Sequence, residues 1–232
     1  MCKLRRKLLL FDYLIGKLVE WQEAKPFEIL TRAEIDKALE TMTGTRLMKL
    51  LYIMSLMNIN RSLENIKQTL FGAFDDYVAM QNGPVEDYVY HNRSILLRFE
   101  FESGSLRTST SFHEHFRFNY PNVEKTTYEN TDFHRLPILM ELIEHPDNNK
   151  VDETNLKEYT AMIDSNIQSL KELKEKFPFS DVKQLIDITH SLPLWNKYIN
   201  SEDPHYVLNL EDLKTERIYL NQVLNLRDEL VN

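Results

Sequence analysis

LMKLLYIMSLM, residues 47–57, is an almost wholly apolar stretch, and Lys49 and Ser55 are its two clearly polar side chains. A helix of this composition has no face suited to water, so it should be buried on all sides within a domain. The stretch therefore predicts a central buried helix over residues 45–58, and this prediction decides the fold class.

The next distinctive stretch is DDYVAMQNGPVEDYVY, residues 75–90. Its centre, Asn82-Gly83-Pro84, is a strong turn signal, because glycine supplies unusual backbone angles and proline resists continuation of the preceding element. Proline is also well tolerated as the first residue of a helix, where its missing N–H costs nothing. We therefore predict an extended segment, a turn, and a new helix that begins at Pro84.

Length and composition indicate a globular protein whose 232 residues are enough to bury a core without a metal or a disulfide. The formal net charge of −8 gives no general attraction to nucleic acid or to anionic membranes. Cys2 is the single cysteine, so no intramolecular disulfide can form, which favours a reducing compartment. No apolar run approaches the roughly 18 residues of a membrane helix. We expect a cytoplasmic protein without nucleic-acid or membrane partners.

Apolar residues recur every three or four positions over residues 4–21, which predicts an amphipathic helix with Asp12 on its polar face. Thr31 and Glu34 form a capping-box pattern, which predicts a second helix that runs to about Met42 and is closed by Gly44. Similar signals predict four later helices, over residues 153–177, from Asp181, from Pro193, and over residues 210–231.

Residues 97–102 and 116–120 alternate between apolar and polar side chains around a turn-like segment at 102–105. Period-two alternation predicts short half-buried strands, although a helix over residues 94–101 remains a second interpretation. The fold class is therefore mainly α: a compact multi-helix domain around a central buried helix, with a small antiparallel β element in the middle of the chain.

The clearest metal-like pattern is His113-Glu114-His115, because residues two apart share a face on a strand. A site needs a third ligand, and no helix carries histidines four residues apart, so a polar strand or loop is favoured and no metal or cofactor is expected. The Asp75-Asp76 pair is better explained by capping than by acid–base catalysis, since no nucleophile or base motif accompanies it. No catalytic residue is predicted.

Arginines interleaved with aromatic residues occur in the middle of the chain, at Arg93, Arg98 and Arg117. This pattern superficially suits single-stranded nucleic acid. The acidic net charge and the absence of a recognition-helix pattern favour a solvated rim instead.

Three spaced motifs resemble those of the Panacea domain family, the SocA-like antitoxins. They are KLLY at 49–52, DDYVAMQNGPV at 75–85 with Tyr88 or Tyr90 soon after, and LIDITHSLPLW at 185–195. Which of the two adjacent aspartates holds the family position is left open. The resemblance covers roughly residues 11–198.

The resemblance implies a mainly helical domain that binds and neutralises a protein toxin, encoded by a neighbouring gene. In at least one branch of the family the domain also delivers its toxin to a cytoplasmic protease. It implies a Panacea-like domain over residues 1–200, with an aromatic-rich insertion-like region at about 94–135. Residues 201–232 lie beyond the match and are predicted to form a helical extension packed on the same domain.

The residues of the family motifs have a simple structural explanation, as core, turn or a large buried anchor at Trp195. They are Lys49, Tyr52, Asp75, Asp76, Tyr77, Gly83, Pro84, Val85, Tyr90, His190, Pro193 and Trp195. Exposed tyrosine, phenylalanine and arginine favour protein interfaces. The candidates for partner contacts are therefore Tyr88, Arg93, Arg98, Phe116, Arg117 and Tyr120.

Three functional hypotheses follow from these observations. The first is a non-enzymatic antitoxin that binds a toxin directly. The second is a protease or chaperone adaptor, or a phage-related interaction module, without a toxin. The third is a metal-dependent hydrolase that uses His113, His115 and a distant third ligand.

Overall fold

A computed structural model describes residues 2–25, 30–96, 98–102, 104–109, 153–174 and 181–224. Helices predominate among these residues: α1 Cys2–Glu23, α2 Arg32–Glu40, α3 Gly44–Met57, α4 Asp87–Asn92, α5 Glu153–Lys174, α6 Val182–His190, α7 Pro193–Tyr198 and α8 Leu210–Val223. The strands are β1 Tyr77–Met80, β2 Gly83–Glu86, β3 Phe99–Glu102 and β4 Ser105–Thr108, which form two antiparallel two-stranded sheets. The mainly α fold class is confirmed.

The chain separates into two compact units. Unit 1 contains Met1–Gly44 and His91–Thr160, and unit 2 contains Thr45–Tyr90 and Ala161–Asn232. Within the described residues, no helix combines the length and the apolar character needed to cross a membrane.

In unit 1, helix α1 buries the apolar residues whose spacing predicted it, including Phe11, Leu14 and Leu18. The predicted capping box of α2 is confirmed, with Glu34 N donating to Thr31 Oγ1 at 3.3 Å and Thr31 N donating to Glu34 Oε2 at 2.8 Å. Helix α2 ends at Glu40 because Thr41 closes it, its N–H bonding back to the last turn. The prediction that Gly44 closes α2 is therefore wrong, and Gly44 is instead the first residue of α3.

The β3–β4 hairpin of unit 1 confirms strands over residues 99–102 and rules out the alternative helix over 94–101. Its register pairs Phe99 with Thr108 and Glu102 with Ser105. The second alternating segment, residues 116–120, lies outside the described residues.

Two charged residues of unit 1 are buried against expectation. Asp12 was placed on the polar face of α1 and Arg98 on a solvated rim, but their side chains are only 2% and 0% exposed. Arg98 Nε donates to Asp12 Oδ1, Arg98 N donates to Oδ2 at 2.8 Å, and Arg98 Nη2 donates to the Asp12 carbonyl at 2.7 Å. Each charge compensates the other, which is why both can leave water.

In unit 2, helix α3 is buried throughout residues 46–56, as its composition predicted. Strands β1 and β2 follow it as a hairpin in which Tyr77 pairs with Glu86 and Met80 with Gly83. Gln81 and Asn82 form the exposed turn. The extended segment and the turn before Pro84 are thus confirmed.

The predicted start of a helix at Pro84 is wrong, because Pro84 lies within β2 and α4 begins at Asp87. Pro84 faces Ala79 across the hairpin, and Ala79 donates its N–H in the other direction, to the Pro204 carbonyl at 2.9 Å. In an antiparallel pair both main-chain groups of a residue point the same way, so Pro84 needs no N–H toward β1. The strand position therefore costs no hydrogen bond.

Residues 204–206 add a third extended segment at the free edge of β1. His205 bridges to Val78, and Tyr206 N donates to the Tyr77 carbonyl at 2.8 Å. The segment after Tyr198 is thus built into the same unit as the hairpin.

The later helices agree with their sequence signals over the described residues. Asp181 caps α6 by accepting from Lys183 N at 2.8 Å, and Pro193 is at the first turn of α7. The predicted ends of the helices over residues 153–177 and 210–231 lie outside the described residues.

Candidate functional site

All three sequence motifs contribute to one buried polar cluster in unit 2. Lys49 of α3 is fully buried, and its Nζ donates to the Pro84 carbonyl of β2 at 2.7 Å. Thr189 and His190, at the end of α6, approach the same turn. We call Lys49, Gly83, Pro84, Thr189 and His190 the Lys49 cluster.

Gly83 is required in this cluster for two reasons. Its φ of +98° lies in the left-handed region that side chains disfavour. A Cβ at this position would also lie 2.7 Å from Thr189 Oγ1 and 2.9 Å from Lys49 Cε. The glycine therefore allows α3 and α6 to approach the hairpin backbone.

The charge state of Lys49 is governed by its burial, which lowers its pKa to about 7. Burial also lowers the pKa of His190, and the nearby Lys49 amine lowers it further. Both groups therefore favour their neutral forms more than exposed side chains do. An amine and an imidazole can then lie close together without strong repulsion.

Trp195 connects α7 to this region. Its ring stacks on His190, with centroids 3.8 Å apart and planes 9° from parallel. Its Nε1 donates to the Met80 carbonyl at 2.9 Å, at the end of β1. Trp195 is half-buried, whereas we predicted a large buried anchor at this position.

A second cluster, the Glu216 cluster, consists of Tyr52, Tyr77, Leu194, Tyr206 and Glu216. Tyr52 OH donates to Glu216 Oε1 at 2.8 Å, and the Leu194 N–H donates to Oε2 at 2.9 Å. The ring of Tyr52 meets those of Tyr77 and Tyr206 edge-on, at 5.1 and 6.1 Å. One carboxyl group of α8 thus ties α3 to the start of α7.

Replacing Glu216 with glutamine should flatten the pH dependence of stability. Burial raises the pKa of Glu216 to about 7 in the folded chain, against an ordinary value of 4.5. Between these values the folded state binds more protons, so the free energy of unfolding falls as the pH rises from 4.5 to about 7. The loss can reach about 3 kcal/mol, since one pKa unit corresponds to about 1.4 kcal/mol.

Glutamine can accept from Leu194 N and donate to the Tyr52 oxygen, so it keeps both hydrogen bonds without a charge. We expect Glu216→Gln to match the parent near pH 4.5 and to exceed its stability above pH 7 in urea denaturation. Exposed Glu211 of the same helix is the control, and Glu211→Gln should leave the profile unchanged. A stability difference between the parent and Glu216→Gln that stays constant from pH 4.5 to about 7 would contradict the prediction.

The remaining motif residues have varied positions. Tyr77 and Val85 are buried, whereas Asp75, Asp76 and Tyr90 are half-buried. The Asp76 backbone carbonyl accepts from Asp87 N at 2.7 Å. The side-chain Oδ1 of Asp76 lies 3.5 Å from His205 Nδ1. The side chain that caps α4 is Glu86, which accepts from Val89 N at 2.7 Å.

Of the predicted partner contacts, Tyr88 and Arg93 are half-buried, with the Arg93 guanidinium 5.3 Å from the centre of the Phe101 ring. Arg98 is unavailable to a partner because it is buried against Asp12. Phe116, Arg117 and Tyr120 lie outside the described residues, as do His113 and His115 of the metal hypothesis. Across the part of the chain that is described, no group of three or more acidic, histidine or cysteine side chains could hold a metal ion.

Four residues of these clusters were not among the sequence-predicted site residues: Thr189 and Leu194, which lie inside the third motif, and Glu216 and Tyr206, which lie outside all three motifs. The signal for Glu216 was present, because it lies between Leu213 and Leu220 on the buried face of α8. A lone glutamate at helical spacing on an apolar face indicates a buried carboxyl group that needs donors. For Tyr206 no comparable signal exists, because its burial depends on the extended segment that pairs with β1.

Comparison with known proteins gives one family match. The family model described as antitoxin SocA-like, Panacea domain, matches residues 47–196. No curated protein matches the chain, and no solved structure matches it. The matched span contains α3, the β1–β2 hairpin, α6 and Trp195, which together supply every member of the Lys49 cluster. Since the match covers more than half of the 232 residues, the chain belongs to the family of SocA-like antitoxins with a Panacea domain.

Proposed function

We propose that this chain is a non-enzymatic antitoxin that binds a protein toxin in the cytoplasm and neutralises it by direct binding. The observation that carries the proposal is the family match over residues 47–196. The toxin is expected from a neighbouring gene, because the resemblance implies such pairs.

The state of the motif residues supports a binding role over a catalytic one. Lys49, which has the most basic side chain among the motif residues, is fully buried and donates to a backbone carbonyl. Tyr52 is likewise buried and donates to Glu216. A nucleophile or general base must reach its substrate, and neither group is accessible to one. These contacts stabilise the fold and leave recognition to the surface.

The surface candidate that the structure describes best is Arg93 beside Phe101. Arginine and aromatic residues are enriched among the residues that dominate interface energies. Arg107, on the β3–β4 hairpin that also carries Phe101, is a matched control. It is exposed and forms ion pairs with Glu100 and Glu102, whose side chains alternate with Phe101 along β3 and so lie on the opposite face. We propose Arg93 as a toxin contact and Arg107 as a residue outside the interface.

Co-expression with each neighbouring gene tests the proposed function. We expect one neighbour to arrest growth when expressed alone and the chain to relieve that arrest. The relieved cells should yield a complex of the two proteins, and Arg93→Ala should lower its recovery more than Arg107→Ala. Arrest that persists while the folded chain accumulates would contradict the proposal, as would two harmless neighbours.

Toxin turnover separates direct neutralisation from delivery to a protease. In cells that express both proteins, the toxin half-life should equal that in cells that express the toxin alone. Direct binding predicts this because the toxin remains in the complex. A half-life shortened by the chain, and restored when cytoplasmic proteases are deleted, would favour the adaptor hypothesis instead.

A further inference from the structure

The amine of Lys49 is an unusual feature of unit 2, because its side chain is 0% exposed. Among the described residues, its one recorded hydrogen bond goes to the Pro84 carbonyl at 2.7 Å. A buried ammonium is normally paired with a carboxylate, since an uncompensated charge is costly away from water. This amine instead meets a carbonyl, a glycine and the end of α6.

Within the described parts of the chain, no carboxylate is paired with Lys49. Glu86 of β2 is directed to α4, where it accepts from Val89 N at 2.7 Å. Asp187 of α6 is exposed. Its negative charge partly offsets the lowering of the His190 pKa by burial and by Lys49. The titratable group that faces Lys49 is His190 itself, which repels a charged amine when protonated.

We propose that the Lys49 cluster is a proton-sensitive switch for the β1–β2 turn. A neutral Lys49 amine holds the Pro84 carbonyl and keeps the turn closed against α6. A protonated amine requires water or a counter-charge, and the exposed turn residues Gln81 and Asn82 directly precede Gly83, which lies against the Lys49 side chain. Protonation therefore loosens the turn and the contact between Trp195 and Met80.

The direction of the switch follows from the burial of the amine. Burial lowers the pKa of Lys49 to about 7 in the folded chain, against 10.5 for an ordinary lysine. From about pH 7 to 10.5 the unfolded state binds the additional proton, so the contribution of Lys49 to stability rises with pH in this window. Below about pH 7 the folded state bears the full cost of a buried ammonium.

His190 sets a second, more acidic step. The pKa of His190 lies below its ordinary value of 6.5, because of burial and of Lys49. As the pH falls, Lys49 therefore gains its proton first, and repulsion between two charged groups follows at lower pH. The two steps can be separated by changing one residue at a time.

The indole N–H of Trp195 is a built-in probe of the turn, because it donates to the Met80 carbonyl at 2.9 Å. We would follow both tryptophan indole signals of the full ¹⁵N-labelled chain by NMR, from about pH 5.5 to about pH 9. The Trp195 signal should shift with a midpoint near pH 7, the value to which burial lowers the Lys49 pKa. Trp21 of α1 is the internal control and should show no shift with that midpoint.

Two variants assign the steps. Lys49→Met gives an unbranched side chain, one atom shorter than lysine, that cannot be protonated, so it should abolish the transition near pH 7. His190→Gln should keep that transition and remove the more acidic one. An unshifted Trp195 signal in the parent, or an unchanged transition in Lys49→Met, would overturn the proposal.

A direct titration covers the case in which Lys49→Met does not fold. The ¹³Cε signal of Lys49 in the unmodified chain should titrate near neutral pH, apart from the signals of exposed lysines. A Lys49 signal that titrates with the exposed lysines, near the ordinary value of 10.5, would overturn the proposal on its own. Neither measurement needs the toxin, so the switch and the antitoxin function are tested separately.

Discussion

Replacement of Gly83 with alanine is expected to lower the free energy of unfolding by about 2–4 kcal/mol, which is a large share of the stability of a typical domain. The left-handed conformation contributes about 1–2 kcal/mol of this loss, because Cβ is disfavoured at positive φ. The remainder comes from overlap with Thr189 Oγ1 at 2.7 Å and Lys49 Cε at 2.9 Å. Both side chains are held by hydrogen bonds, Thr189 to the Leu185 carbonyl and Lys49 to Pro84, so neither can move without cost.

Gly104 is a matched control, because it separates conformational strain from close approach. Its φ is +90°, and a Cβ there would meet nothing within 4 Å. Gly104→Ala should therefore lose only the conformational part, about 1–2 kcal/mol. Urea denaturation of both variants measures the difference. Equal losses would show that overlap of the new Cβ with Thr189 and Lys49 does not contribute to the loss of stability in Gly83→Ala.

Replacement of Arg98 with methionine is expected to cost about 3–5 kcal/mol, because it leaves a buried carboxylate at Asp12 without its partner. Three hydrogen bonds join Arg98 to Asp12, two from its guanidinium and one from its backbone N–H, and only the backbone bond survives the change. Thermal and urea denaturation should both record the loss. The buried Asp12 carboxylate would then keep the Arg98 backbone N–H but lose the charge that compensates it.

Arg107 provides the comparison, because its side chain is 48% exposed although it also pairs with two glutamates. Arg107→Met should change the free energy of unfolding by less than about 1 kcal/mol, as exposed ion pairs do. The double change Asp12→Leu with Arg98→Met removes both charges and should recover most of the stability. Similar losses for Arg98→Met and Arg107→Met would contradict the importance of burial.

The substitutions Gly83→Ala and Arg98→Met should affect function in different ways. Gly83 belongs to the Lys49 cluster, so its replacement should also disturb the turn and the stack of His190 on Trp195. Arg98 lies in unit 1 and was a candidate for a partner contact, yet it cannot meet a partner while it is buried. Loss of toxin binding in Arg98→Met would therefore report on folding, whereas loss in Arg93→Ala at unchanged stability would report on recognition.

Local signals in the sequence were sufficient to predict most of the helices and two of their N-terminal caps. The apolar composition of residues 47–57 was sufficient to predict a buried helix, and α3 is buried over residues 46–56. The caps at Thr31 and Asp181 were readable because a cap joins groups two or three residues apart. The family motifs were recognisable for the same reason, since each is a continuous stretch. Their role as structural residues was predicted, but not the contacts that they form.

Only the tertiary structure decided which polar residues are buried and what they bind. Arg98 meets Asp12 across 86 residues, Tyr52 meets Glu216 across 164, and Lys49 meets Pro84 across 35. It also placed Pro84 in β2, at a position where no N–H is needed because its partner Ala79 donates to the Pro204 carbonyl instead. A charged side chain has the same local pattern whether water or a distant partner compensates it. That choice depends on which distant segments fold together, and short-range periodicity carries no information about it.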